Sequence, residues 1–284
     1  MSLSETAGSA ASIAVRFWGV RGSISCPGPD TIRYGGNTPC VELRCGEHIL
    51  IFDAGTGIRV LGKSLMNSAA PADLDIFLSH CHLDHIVGLP FFAPLFASDR
   101  KVRLWTGNLK PSSSAENAVR NLMGFPFFPL QLEALKAKIE FHDLRAGDTI
   151  NPWPGVTVRT APLVHPGGAT GYRVEYGNRS VAYLTDTEIG DGPINPAMLG
   201  LARDADLLIL DTTFTDAQLP SHVGWGHASW QQGVRLADEA GAARLCLFHH
   251  NPEHDDAAMD AIEMAADDAR PGTIAASEGL QLDI

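Results

Sequence analysis

The six residues His80-Cys81-His82-Leu83-Asp84-His85 place three imidazoles and one carboxylate side by side in the chain. They follow an apolar run, Leu74–Ser79, that reads as a buried strand. On an extended segment His80 and His82 point the same way. Asp84 and His85 fall where a helix is expected to begin, turned toward a second point. That arrangement suits two metal ions side by side better than one. Imidazole and carboxylate ligands favour zinc, with manganese or iron as alternatives. A solvated polar loop is the bland alternative. It gives no reason for four ligand-type side chains directly after an apolar strand.

The elements that position these residues alternate between strand and helix. Strands are expected at Val15–Val20, Val41–Arg44, Ile49–Asp53, Lys101–Trp105, Val156–Val164, Leu207–Leu210 and Leu245–Phe248. A hairpin is expected at Gly171–Tyr176 and Ser180–Leu184, turning at Gly177-Asn178. Helices are expected at Ile58–Met66, Ser114–Met123, Leu130–Lys138, His227–Ala240 and Asp255–Ala269, with two short strands at the C-terminus. Four apolar strands run into a ligand-type residue: His80, His165, Asp186 and His249. Open α/β sheets place sites beyond strand ends, so these four could meet.

Composition bounds the rest. The chain has 284 residues, 45% hydrophobic and 19% charged, enough for a sizeable core and too apolar for disorder. One domain over residues 13–284 is expected, after a loose N-terminus at 1–12. The net charge of −12 argues against wrapping a nucleic-acid polymer, where clustered cations supply the affinity. It is compatible with a small anionic substrate, because bound metal reverses the local field. Five cysteines, an odd number with no second pair to make a structural zinc site, read as reduced thiols in a cytoplasmic protein. No signal peptide and no membrane span is read. A homodimer is left open.

Ser79-His80-Cys81-His82-Leu83-Asp84-His85 resembles the His-x-His-x-Asp-His signature of the metallo-β-lactamase superfamily. Phe52-Asp53-Ala54-Gly55-Thr56-Gly57 resembles that family's Asp-x-Gly turn. The resemblance runs from about Val15 to the C-terminus. It implies a four-layer αββα sandwich with two metals at one edge of its sheets. It further implies that His80, His82 and His165 hold the first metal, Asp84, His85 and His249 the second, and that Asp186 bridges them. His249 and its neighbour His250 should face opposite ways, so only one is a ligand. The family's register favours His249.

The segment His222-Val223-Gly224-Trp225-Gly226-His227-Ala228-Ser229 resembles the motif that the phosphodiesterase branch carries before a helix. That branch includes the tRNA 3′-end endonucleases and cyclic phosphodiesterases. In them a histidine at the position of His227 would assist at the phosphate or the leaving group. A capping or buried role for His227 is the bland alternative. The tRNA endonucleases carry a long tRNA-clamping arm between the positions of His165 and Asp186; here that span is too short to hold one. The implied reaction is attack of a metal-bridging hydroxide on a small or cyclic phosphodiester, with Asp84 orienting the hydroxide and taking its proton. A thioester or lactone hydrolase and a non-enzymatic metal-dependent sensor are the alternatives. Arg21, Arg33 and His222 stand as candidate substrate contacts, the two arginines equally as structural residues. Trp225 reads as a packing residue, and His254, Asp255 and Asp256 as a helix cap.

Overall fold

A computed structural model describes residues 12–284; the loose N-terminus expected at 1–12 lies, but for Ser12, outside the described residues. The first half of the chain forms β1 (Ile13–Gly19), β2 (Cys40–Cys45), β3 (His48–Phe52), α1 (Gly57–Met66), β4 (Asp73–Leu78), α2 (Leu83–Ile86), β5 (Lys101–Thr106), α3 (Ala115–Leu122) and β6 (Lys138–Asp143). The second half forms β7 (Thr149–Trp153), β8 (Val156–Leu163), β9 (Ala169–Tyr176), β10 (Arg179–Leu184), α4 (Pro196–Ala202), β11 (Leu207–Asp211), α5 (Trp230–Ala240), β12 (Leu245–Phe248), α6 (Asp256–Ala269), β13 (Ile274–Ala275) and β14 (Gln281–Asp283). Two sheets result, ordered β14-β1-β2-β3-β4-β5-β6 and β13-β12-β11-β10-β9-β8-β7.

Strand alternation explains why these sheets stack with helices outside. On β3, Leu50 and Phe52 enter a core shared with Tyr172, Tyr183 and Phe248 of the other sheet, whereas Ile49 and Ile51 face a second core with Ile58 and Leu61 of α1. On β11, Leu207 and Ile209 enter the shared core, and Leu208 and Leu210 face a third with Leu236 of α5 and Met259 of α6. Strands apolar on both faces must be covered on both sides. The product is the four-layer αββα sandwich that the resemblance implied.

The parallel runs β3-β4-β5-β6 and β10-β11-β12-β13 align strand C-termini along one edge of each sheet. His80, Asp186 and His249 follow β4, β10 and β12 by one or two residues, and His165 follows β8. This shared edge carries the site.

Several expected elements differ. The helix expected at Leu130–Lys138 is a single 3-10 turn, Leu132–Ala134, followed by β6. Ile139 and Phe141 are one strand period apart and pack on the α1/α3 side, so period two wins over helical spacing. The helix after Asp84 is one turn, Leu83–Ile86. Helix α4 and strand β7 were not expected; both are short, and local pattern is weak at that length. The helix expected from His227 begins at Trp230. Ser229 accepts from the Gln232 amide and closes a capping box, which leaves His227 outside the helix.

Candidate metal centre

Each ligand-type side chain is placed by a strand end. Strand β4 buries Leu74, Ile76 and Leu78 on one face and Phe77 on the other, then releases Ser79 and His80 at the sheet edge. His82 stands in extended conformation just before α2, and Asp84 and His85 lie on its turn. His80, His82 and His165 bring one nitrogen each within 4.8 Å of one another, with His82 Nδ1 3.0 Å from His165 Nε2. Asp84, His85, Asp186 and His249 form a second such group, entirely buried. Asp186 lies between them. Its Oδ2 is 3.8 Å from His80 Nε2 and 3.7 Å from His165 Nε2, and its Oδ1 is 3.3 Å from His85 Nε2 and 3.2 Å from His249 Nε2. One carboxylate thus offers one oxygen to each group.

Three tests bear on whether cations fit. The Nε2 atoms of His80 and His85 are buried without a hydrogen-bond partner, although carboxylate oxygens lie close by. Such atoms are costly unless a ligand satisfies them. Among the described residues, no lysine or arginine nitrogen lies within salt-bridge distance of Asp53, Asp84, Asp186 or Asp211, so the only ionisable donors that meet these buried carboxylates closely are imidazoles and the Tyr183 hydroxyl. The donor set is imidazole and carboxylate, which suits zinc and neighbouring divalent metals. The residues present fit two cations.

The charges respond accordingly. Burial disfavours charge on His85, but Asp186, Asp84 and Asp53 outweigh it and hold its pKa well above the ordinary value. Burial pushes the Asp84 and Asp186 carboxyls up, and the surrounding imidazoles overcome it, so both stay well below the usual carboxylate range. His80 and His165 go the other way: burial keeps them neutral, the form that ligates.

A second layer orients the ligands. Asp53, at the end of β3, takes His85 Nδ1 at 2.8 Å, accepts from Ser79 N at 2.7 Å and Ser79 Oγ at 2.9 Å, and from Tyr183 Oη at 2.7 Å. Asp211, at the end of β11, accepts from Thr213 Oγ1 at 2.7 Å, and Thr213 Oγ1 lies 3.0 Å from His249 Nδ1. The Gly226 carbonyl accepts from His165 Nδ1 at 2.9 Å, and Ser23 N donates to Asp84 Oδ2 at 2.8 Å. Ring nitrogens bonded in this way fix which nitrogen is free to ligate. Sequence reasoning assigned no role to Asp53, Ser79, Asp211 or Thr213. The strand-end rule that found His80 also applied to Asp53 and Asp211.

The backbone is strained where the ligands sit. Ser23, Asp53, Asp186 and His249 adopt φ between 54° and 62° without being glycine. Gly22, in the loop after β1, lies against the His249 ring, where a Cβ would come within 2.4 Å of Nδ1. Gly226, at φ 85°, approaches His165 more closely still, where a Cβ would come within 2.1 Å of Nδ1.

His227 stands beside this centre. Its Nδ1 is 2.8 Å from Asp211 Oδ2, and a ring nitrogen lies within 4.8 Å of ligand atoms of His165 and Asp186. Burial opposes its protonation, but Asp211, with help from Asp186 and Asp84, raises its pKa to about 9. His250 points away: its Nε2 lies 2.7 Å from the Ala276 carbonyl, and burial lowers its pKa to about 3. Three other candidates lie elsewhere. Arg21 is buried and spends its guanidinium on the carbonyls of Gly35, Asn251 and His254, pinning the loop after β1 to the loop after β12. Arg33 pairs with Asp256 and Asp260 of α6 on the surface. The His222 ring stacks on Phe214 and its Nδ1 meets the Gln218 carbonyl. Trp225, expected to be packed, is 60% exposed, because its loop turns outward between two glycines at positive φ. Asp255 caps α6 through the Ala258 amide, as expected.

The sequence model described as a beta-lactamase superfamily domain matches residues 48–250, more than half of the chain. The chain belongs to the beta-lactamase superfamily. Within the superfamily it is similar to ribonuclease Z of Thermoplasma acidophilum, 26% identical, with 88% of this chain and 90% of that one covered. Its fold is similar to that of a diphosphatase of the PhnP family, with a TM-score of 0.68, 18% identity, and 96% and 97% of the two chains covered. It is also similar to the short form of human tRNase Z, with a TM-score of 0.66, 20% identity, and 95% and 98% covered. The family, the ribonuclease Z relatives and this donor set together make the chain a metal-dependent hydrolase. No helix among the described residues is long and apolar enough to cross a membrane.

Proposed function

We propose that the chain hydrolyses phosphodiesters, with His80, His82 and His165 holding one divalent cation, Asp84, His85 and His249 a second, and Asp186 shared between them. Zinc suits the donors best, with manganese or iron as alternatives. Bound there, the cations would lower the pKa of water and offset charge building on the phosphoryl oxygens.

The observation that carries the phosphodiester reading is His227. A protein needs no further acid beside its metals to cleave a bond with a good leaving group. An alkoxide leaving group, unlike a thiolate, gains from one. His227 sits next to His165 and Asp186, with Nδ1 occupied by Asp211. That leaves Nε2 to donate to a phosphoryl or leaving oxygen, and Asp211 keeps the proton on it. Asp84, held by the Ser23 amide, orients the attacking water and accepts its proton. The naming of relatives as ribonuclease Z and of a fold neighbour as a diphosphatase supports phosphorus–oxygen chemistry over thioester or lactone hydrolysis.

Two substrate classes follow. A small phosphodiester agrees with the net charge of −12 and with the span from His165 to Asp186, which holds only the β9–β10 hairpin. An RNA 3′ end is the second reading, favoured by the ribonuclease Z relatives. Steady-state rates on bis-p-nitrophenyl phosphate, a cyclic nucleotide, a thioester and a precursor tRNA test both. Turnover of the small phosphodiesters with none of the thioester is expected. Preference for the thioester overturns the reading, and preference for the precursor tRNA selects the second.

A further inference from the structure

The signature segment has two faces. His80, His82 and Asp84 point to the metal centre, whereas the residues between and after them, Cys81, Leu83, Ile86 and Val87, line a groove of about 650 Å³. Its far wall comes from α3 and the loop after it, chiefly Leu122, Phe127 and Phe128, and its end from Phe91. Only Ser113 and Asn121 bring polar side chains besides the Cys81 thiol, and no lysine or arginine lines it. A volume of this size suits a drug-sized apolar group.

The groove adjoins the ligand segment: Cys81 and Leu83, which line it, alternate along the chain with His80, His82 and Asp84. Leu83, 67% exposed, directly follows His82, the exposed ligand candidate. Exposed apolar residues also gather on other segments that reach the ligands. Ile24 follows Ser23, whose amide holds Asp84; Val164 precedes His165; Trp225 precedes Gly226, whose carbonyl holds His165. Along the groove Phe91 and Phe127 are exposed as well.

We propose that this groove binds an extended apolar arm of the substrate, so that the chain acts on amphiphilic phosphodiesters bearing a long alkyl or aryl group. The inference rests on the phosphodiester reading above. Two features select a substrate arm over a partner protein or RNA: the groove is continuous with the ligand segment itself, and it lacks the cations that a phosphate backbone needs. Water's oxygen joins phosphorus and the bond from phosphorus to one ester oxygen breaks. The departing alcohol takes one proton of water and the other is released, leaving a phosphomonoester.

The test uses p-nitrophenyl alkyl phosphates with chains from ethyl to dodecyl, below their micelle thresholds, on the metal-loaded full chain. kcat/KM is expected to rise roughly two- to fourfold per methylene until the groove is filled. In Ala118→Trp, which places a ring in the groove from α3, that slope is expected to flatten. Calorimetric binding of alkyl phosphate monoesters to the same protein reads the groove without turnover. Affinity should rise with chain length and carry a negative heat-capacity change. Flat binding overturns the inference whatever the activity. A flat kcat/KM series overturns it while leaving the phosphodiester reading intact. Length-dependent binding without hydrolysis of any phosphodiester keeps the groove and removes the reading beneath it.

Discussion

The two halves of the metal centre are built differently. Asp84, His85, Asp186 and His249 are all buried, and their outer partners Asp53, Ser79, Asp211 and Thr213 are buried too. In the other half the His80 and His165 rings are buried, His165 exposing its backbone, and His82 is exposed. Among the described residues the His82 ring has no hydrogen-bond partner besides the His165 ring, while His165 leans on a carbonyl in a glycine loop. The buried half sets three carboxylates around His85. The open half is where a substrate would reach. In the proposed two-metal reading, this division would keep one ion as structure and expose the other to chemistry.

The sharpest break removes what the halves share. Asp186→Ala is expected to take metal content from about two equivalents to less than one and to abolish turnover, by elemental analysis and rate together. Two retained ions would show that the halves are independent. Replacing the acid leaves both halves intact: His227→Ala should keep both ions and lower kcat by roughly 10² to 10⁴. Unchanged kcat would remove His227 from the chemistry. Asp211→Asn should move the alkaline limb of kcat to lower pH. The sign follows from Asp211 raising the His227 pKa, so without it the catalytic proton is lost earlier as pH rises.

Outer-layer changes test the asymmetry itself. Asp53→Asn weakens the cage and should cost roughly 10- to 100-fold in metal affinity. Dialysis against increasing chelator should remove one equivalent well before the other, and Asp53→Asn should narrow the gap. Two ions leaving together in the wild-type chain would contradict the division. The smallest effect is expected at His250. His250→Asn loses its contact with the Ala276 carbonyl and should lower Tm while both ions remain. Loss of an ion there would reverse the choice between His249 and His250.

Much of this centre was legible because metal ligands are few in type and strand ends are visible as apolar runs. His80, His82, Asp84, His85, His165, Asp186 and His249 meet where the strand ends of the two sheets come together. Arg21 was not legible as a structural residue. Its position in a glycine-rich loop fits an anion contact equally well, and only the fold brings Asn251 and His254 within reach of it. Arg33 was equally open between the two roles for the same reason, since its partners on α6 lie more than two hundred positions away. The short elements α4, β6 and β7 were missed or misread because five to seven residues carry too little periodicity to outweigh local propensity.

The sequence by itself determined the donor chemistry, the superfamily signature and the apolar strands that end at each ligand, because these are local in the chain. It placed His227 before a helix. Only the tertiary structure decided what surrounds these residues: one Asp186 oxygen for each group, Asp211 behind His227, Asp53 behind His85, and an apolar groove on the reverse face of the signature segment. The physical reason is range. A side chain's type and strand period are properties of neighbours in sequence. Burial, pKa and the number of free hydrogen-bonding atoms depend on groups that folding brings from distant parts of the chain.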